Sequence, residues 1–177
     1  WEHLDMMPGN APAIEIWNGW WADYNEQGVQ LYYKWLNEGH RLVATSGTDI
    51  HERPPADANG RAASNVVYAQ SFSEDGIITA LKQGHSYISA GPELILSAIS
   101  ASGAQVMMGD CLPDAGATIS VRWTDAHEDD LLRFIVNGVV NETRRVQTSG
   151  EASWTLAIGD ARWVTVELRD AKGNMWA

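Results

Sequence analysis

The hydrophobic pattern changes at Gly91-Pro92, and this change constrains the fold more than any other feature of the chain. Before it, short apolar runs alternate with segments that carry helical spacing. After it, no helical period returns, and short alternating strands are separated by Gly, Asp and Asn turns. The sequence therefore predicts two domains, an α/β unit over residues 1–90 and an all-β unit over residues 91–177.

The first unit repeats strand, helix, strand. Ala13 to Trp17 has the pattern of a short strand, and Leu42 to Ser46 is an uninterrupted apolar strand that ends at Gly47. Between them, four apolar residues recur with the spacing of one helix face: Val29, Tyr32, Tyr33 and Leu36. A second set follows, with strands over 65–69 and 86–89 around a helix capped by Ser73 and Gly84. This repetition predicts parallel pairing with helices packed outside.

The second unit has the pattern of an antiparallel β-sandwich of the immunoglobulin-like type. Strands are predicted over 94–99, 118–123, 131–136, 153–158 and 163–168, several of them alternating apolar and polar residues. Asn137-Gly138 is a strong signal for a two-residue hairpin turn. Trp123 aligns with Ile119 and Val121, which predicts that its ring faces the core.

Composition narrows the function classes. The chain has 177 residues and a formal net charge of -11, which disfavours binding to a phosphate backbone. Cys111 is the single cysteine, so neither an intramolecular disulfide nor a cysteine-based zinc site is possible. No run of about 18 apolar residues predicts a membrane span. Cytoplasm and periplasm both remain open, because thiol usage does not separate them here.

Thr48-Asp49-Ile50-His51 follows the apolar strand that ends at Gly47. A carboxylate and an imidazole two residues apart, at the carboxyl end of a buried strand, can point into one site above a parallel sheet. Oxygen plus nitrogen is a donor set suited to Zn, Mn or Fe. Asp49 and His51 are therefore the predicted metal ligands, and a capped strand end with a satisfied histidine is the alternative.

Other acidic and imidazole groups are weaker candidates. His3 and Asp5 form a second such pair near the beginning of the sequence, and Glu15 could reach the upper edge of the sheet. His85 follows a helix end, and a cation there is stabilised by the helix dipole. Thr124-Asp125-Ala126-His127 repeats the motif after an alternating strand, which predicts a solvated loop or, less strongly, a weak calcium site.

These residues resemble a known family. Gly47 to His51 resembles the closing G-S-D-x-H motif of the PHP (polymerase and histidinol phosphatase) superfamily of metal-dependent hydrolases. Ile14 to Gly19 looks like the "IEVWNG" strand of its CehA/McbA-like branch. The strand at Val67 with the helix after Ser73 resembles the stretch that follows the metal motif. Gly84 to Pro92 is similar to the branch's "GRxFxTxGP" junction, with His85 where many relatives have Arg.

The resemblance implies the rear part of a distorted (β/α) barrel followed by the sandwich, with divalent metal ions at the strand ends. It implies hydrolysis of a small-molecule ester, foremost a phosphoester, by metal-activated water, with Asp49 and His51 as ligands. Family members open with an H-x-H pair and further ligands upstream of this motif, and the chain has no such segment. We therefore expect a fragment that is inactive by itself.

Two alternatives remain. The sandwich, with Trp123, Trp154 and Trp163, could bind carbohydrate or protein without catalysis, and an exposed Trp123 would favour that hypothesis. The chain could also be an interaction subunit that forms a homo-oligomer through an exposed barrel edge. No residue is predicted as a nucleophile or as a general acid or base, because no nucleophile elbow, phosphate-binding loop or Cys-His pair is present.

Overall fold

A computed structural model describes residues 9, 11–51, 62–113, 116–157, 159 and 161–177. Within these ranges the chain is mostly β, with 42% strand, 16% helix and two helices. The first six elements are β1 (Ala13–Asn18), α1 (Asp23–Asn37), β2 (Val43–Gly47), β3 (Ser64–Val67), α2 (Glu74–Gln83) and β4 (Ser86–Ser89). The other seven are β5 (Glu93–Ser100), β6 (Gln105–Met107), β7 (Ala117–Thr124), β8 (Leu131–Val136), β9 (Val139–Arg145), β10 (Gly150–Leu156) and β11 (Val164–Arg169).

The predicted rear part of a (β/α) barrel is wrong, because the strands of the first unit form two small sheets instead. β1 pairs with β2 in parallel, as expected, but β3 pairs with β4 antiparallel. The side-chain amide of Asn65 accepts from the Ser46 N–H at 2.9 Å and donates to the Ser46 carbonyl at 2.9 Å. Because this side chain uses backbone groups that a neighbouring strand would pair with, the β1–β2 sheet does not continue into β3.

The second unit contains two antiparallel sheets, in the strand orders β10-β7-β5-β6 and β11-β8-β9. One apolar cluster joins both sheets and includes Ile119 and Val121 from the first and Leu132, Phe134 and Leu168 from the second. This arrangement is compatible with the sandwich part of the prediction. The hairpin at Asn137-Gly138 is confirmed, with both residues at positive φ between β8 and β9.

Helix α1 packs closely on β1. A Cβ added to Gly28 would lie 3.1 Å from the Ile16 carbonyl oxygen, so glycine allows the helix backbone to approach the strand. Val29 and Tyr33 are buried from the predicted apolar face, while Tyr32 and Leu36 are half-buried. Leu31 and Trp35, outside that face, are also buried. The helix therefore contacts more than one neighbour.

Helix α2 begins and ends as predicted. The Ser73 hydroxyl accepts from the Gly76 N–H at 3.1 Å, and Gly84 adopts a left-handed conformation with φ of 77°. Its apolar stripe is less buried than expected. Ile78 is 44% exposed, and Ala80 is the one buried residue of this helix.

A buried polar network joins the two units. Tyr33 on α1 donates to Glu167 at 2.6 Å, and Arg169 donates to Glu167 at 2.7 Å and to Glu26 on α1 at 2.7 and 3.3 Å. Glu167 and Arg169 are each 4% exposed. Burial opposes the charge on Arg169, but its hydrogen bonds to Glu167 and Glu26 prevail and raise its pKa. Burial, together with Glu167, raises the pKa of Tyr33.

A second junction brings two glycine backbones into contact. A Cβ on Gly109, which follows β6, would overlap the backbone of Gly84 at the end of α2. Arg41 reinforces this junction by donating to the Gly109 carbonyl at 2.7 Å. The close approach requires glycine at position 109 for spatial as well as conformational reasons.

We expect Gly109→Ala to destabilise the protein more than Gly103→Ala does. Both glycines have φ of 87°, but Gly103 has open space around its Cβ position. The two variants share the left-handed penalty of about 1–2 kcal/mol, and the overlap with Gly84 adds about 1–3 kcal/mol to the first. Urea unfolding measures the difference, and equal losses would refute the backbone contact.

We expect Arg169→Met to lower the free energy of unfolding by about 3 kcal/mol, because the buried Glu167 would lose its hydrogen-bonded cation and keep Arg133 at 3.8 Å. Arg145→Met is the control, since Arg145 pairs with Asp129 where both side chains are largely exposed, and it should change stability little. Urea titration monitored by tryptophan fluorescence compares them. Similar unfolding midpoints for the two variants would contradict the importance of the network.

Candidate metal centre

The carboxyl ends of the parallel strands β1 and β2 form one edge. Their register pairs Asn18 with Gly47, and the Gly19 N–H donates to the Gly47 carbonyl at 2.8 Å beyond the last pair. Residues that follow the two strands therefore leave the sheet side by side, as the predicted metal site requires.

A buried asparagine fixes the segment after β1. The Asn25 side chain, 2% exposed, accepts from the Asn18 N–H at 2.9 Å and donates to the carbonyls of Asn18 and Trp20 at 3.3 and 2.8 Å. Its position on α1 ties the end of β1 to the start of the helix. This residue was not predicted from the sequence, because one asparagine inside a helical segment has no distinctive local pattern.

Asp49 and His51 converge. The His51 Nε2 atom lies 2.9 Å from the Asp49 Oδ1 atom, and the two side chains are 84% and 53% exposed, respectively. Asp49 has φ of 50°, a left-handed conformation that an acidic residue tolerates better than most. The left-handed conformation of Asp49 therefore occurs at the point where the two side chains meet.

Glu15 lies beside the same edge. Its Oε1 atom accepts from the Asn18 side-chain amide at 3.0 Å, and its carboxylate occupies the space that a Cβ on Gly47 would need. Gly47 therefore provides room for an acidic side chain next to the segment that carries Asp49. Glu15 is exposed, so this carboxylate stays open to solvent.

The donor chemistry fits a divalent metal in type but falls short in number. Asp49 and His51 supply an oxygen and a nitrogen, whereas a catalytic zinc site takes three protein ligands. Among the described residues no group of three or more His, Cys, Asp or Glu side chains could hold a metal ion. His3 and Asp5 lie outside the described residues.

His85 contributes to a different feature. Its Nε2 atom lies 2.8 Å from Asp110 Oδ1, and the Met107 N–H donates to Asp110 Oδ2 at 3.0 Å. The hydrogen bond to His85 is the main cause that lowers the pKa of Asp110. Asp110 was not predicted to have a role, because nothing in the local sequence indicates that it would meet His85, 25 residues away.

The repeated motif at Thr124 behaves as the loop that was predicted. His127 is exposed, and its backbone N–H donates to the buried Asp130 carboxylate at 2.8 Å. Asp125 is exposed with φ of 59°. Asp130 therefore caps this turn, and no group of three metal-binding side chains arises there among the described residues.

Trp123 is 6% exposed, so the prediction that it faces the core is confirmed. Trp154 is also buried, with one face stacked on Phe134 at 4.7 Å and the Arg144 guanidinium 4.7 Å from its ring centroid. Near the first strand end, Trp17 is buried against Trp21 and Trp20 is 50% exposed. Most of these tryptophan rings are therefore explained by packing in the core.

No protein-family model matches the chain, and no curated protein or solved structure matches it significantly. Within the described ranges, neither helix is long and apolar enough to cross a bilayer.

We expect Asp110→Asn to destabilise the protein at neutral pH, because the folded state holds this carboxyl ionised beside His85. The pKa of Asp110 is below its ordinary 3.8 in the folded chain. Its stabilising contribution is therefore present above about pH 3.8 and is lost as pH falls through the lower, folded pKa.

Thermal unfolding from neutral pH down to about pH 3 measures the gap between Asp110→Asn and the unmodified protein. Asp129→Asn is the control, because Asp129 is 71% exposed and pairs with an exposed Arg145. The gap should narrow with acid for Asp110→Asn and stay small throughout for Asp129→Asn. A gap of constant size across the range would refute a stabilising ionised Asp110 beside His85.

Proposed function

We propose that this chain contributes Asp49 and His51 to the centre of a metal-dependent hydrolase that acts on small-molecule esters, foremost phosphoesters. The single observation that carries the proposal is the convergence of these two side chains, 2.9 Å apart, at the carboxyl edge of a parallel strand pair. Such edges are where α/β enzymes hold their reactive groups.

The divalent ion, Zn, Mn or Fe, would lower the pKa of a bound water and polarise the scissile bond. Asp49 and His51 would hold it through one carboxylate oxygen and one ring nitrogen. Glu15, next to Gly47, would add negative charge near the ion. The hydrogen bond that its carboxylate accepts from the Asn18 side chain would orient that carboxylate. The remaining ligands would have to come from residues outside the described ranges, where His3 and Asp5 are candidates.

A binding role for the sandwich has less support. Sugar rings stack on exposed aromatic faces, but Trp123 is buried, and Trp154 is buried in contact with Phe134 and Arg144. Trp163 is half-buried, and its indole N–H donates to Asn37 at 2.8 Å. Homo-oligomerisation stays a prediction, but the described residues form no barrel and so provide no barrel edge for it.

The experiment that tests this proposal compares metal binding by the unmodified chain and by the double variant Asp49→Asn/His51→Gln. We expect isothermal titration with Mn²⁺ or Zn²⁺ to show weak binding, and the double variant to lower the affinity about tenfold or more, because both donors are lost. With two described ligands, turnover of a chromogenic phosphodiester by this chain should be weak or absent.

The repeated motif provides a control of the same chemistry. Asp125→Asn/His127→Gln removes an identical residue pair from a turn where His127 faces Asp130 and not Asp125. This variant should bind metal like the unmodified chain. Equal affinity in all three proteins, or an equal loss in both double variants, would refute Asp49 and His51 as ligands.

A further inference from the structure

The two sheets of the sandwich end in four edge strands in the described part of the chain. β10 and β6 are the edges of one sheet, and β11 and β9 are the edges of the other. An edge strand presents unpaired backbone groups to any further strand, so proteins usually block such edges. The way in which each edge is blocked, or left open, therefore indicates where a partner strand can add.

Three of these edges are protected, each by a different means. β6 has a length of only 3 residues. β9 has a shift in its register with β8, and it carries Arg144 and Arg145. At β11 the last residues of the chain cover the edge, because the Leu168 N–H donates to the Ala177 carbonyl at 2.6 Å. A further strand would have to displace or avoid these features.

β10 has none of these protections among the described residues. It pairs with β7 over Gly150–Leu156 in an unbroken register, and Glu151 is its single charged residue. The Ser153 carbonyl accepts from the Arg144 side chain, which lies on β9, at 3.4 Å, so this carbonyl points away from β7. Because alternate residues of a strand direct their backbone groups to the same side, Glu151, Ser153 and Thr155 present theirs to the open edge.

The side chains of β10 are complementary to those of a second, antiparallel copy of the same strand. A ladder centred on Ser153 pairs the whole strand, and any other centre leaves residues without a partner. In this register the buried Trp154 lies opposite the small Ala152 of the second copy. The exposed Glu151 lies opposite Thr155 of the second copy, so the acid does not meet its own counterpart.

Apolar surface lies beneath this edge. A cavity of about 400 Å³ separates β9 from β10, and Phe134, Trp154 and Leu156 line it. The inner side chains of a second β10 would lie over this opening. Pairing of the two strands would therefore bury apolar surface in addition to forming backbone hydrogen bonds.

We propose that β10 is the interface through which two copies of this chain form a symmetric dimer. The two β10 strands pair antiparallel about Ser153 and join two four-stranded sheets into one. The Ser153 carbonyl exchanges its long hydrogen bond from Arg144 for a peptide N–H of the second copy. Arg144 keeps its hydrogen bond to Glu142 and its contact with Trp154. The interface includes no residue of the proposed metal centre and does not depend on it.

The first test is sedimentation equilibrium of the full chain over a wide range of concentration. We expect a reversible equilibrium between monomer and dimer. Ser153→Pro removes an N–H that faces the edge and that pairing with β7 does not use, so it should weaken dimerisation about tenfold or more. Ser153→Ala keeps this N–H and should dimerise like the unmodified chain, and circular dichroism checks that both variants are folded.

A monomer at every concentration would overturn the proposal and leave the edge to an extended segment of a different protein. Dimerisation of a folded Ser153→Pro that equals that of Ser153→Ala would overturn it as well.

The second test checks the register and leaves the backbone unchanged. Thr155→Glu places a carboxylate opposite Glu151 of the second copy, twice in a symmetric dimer, and should raise the dissociation constant about threefold to tenfold. Thr155→Lys should lower it by a similar factor. Ser97→Glu and Ser97→Lys make the same changes in net charge on the exposed face of β5, away from the edge. Equal effects at positions 155 and 97 would overturn this interface.

Discussion

The ion pair between Arg169 and Glu167 is the interaction on which the arrangement of the two units depends. Both side chains are almost fully buried, and together they engage Tyr33 and Glu26 from α1. Desolvating such groups is costly, so the network is stable only when all of its members are in place. Together with the apolar contacts of Val29 and Tyr33 to Ile135 and Met175, it holds the helix against the β-rich unit.

Helix α1 also fixes the end of strand β1. The face that carries Glu26 and Tyr33 meets the sandwich, and Asn25 holds the segment after β1. The same helix therefore connects the buried ion pair with the edge near Asp49. The proposed metal centre lies at the carboxyl end of the β1–β2 pair, beside the segment that Asn25 holds.

The local elements could be predicted from the sequence, but their long-range partners could not. Apolar periodicity located α1, the strand before Gly47 and the strand over 131–136, because each pattern reports a buried face. It could not show that the Asn65 side chain would hydrogen-bond to the backbone of Ser46, so the extended sheet and the barrel were predicted wrongly. The pairings of His85 with Asp110 and of Arg169 with Glu26 also escaped, since nothing in local spacing encodes a partner so distant in the chain.

The side-chain amide of Asn65 also bears on whether another strand can add to β2. By saturating Ser46, it removes one ready pairing point from the outer side of β2, where an extended segment of another molecule could otherwise add as an extra strand. An aliphatic residue at position 65 would leave those peptide groups bare beside an apolar strand. One asparagine thus blocks this pairing point to a further strand, at the position where it limits the width of the native sheet.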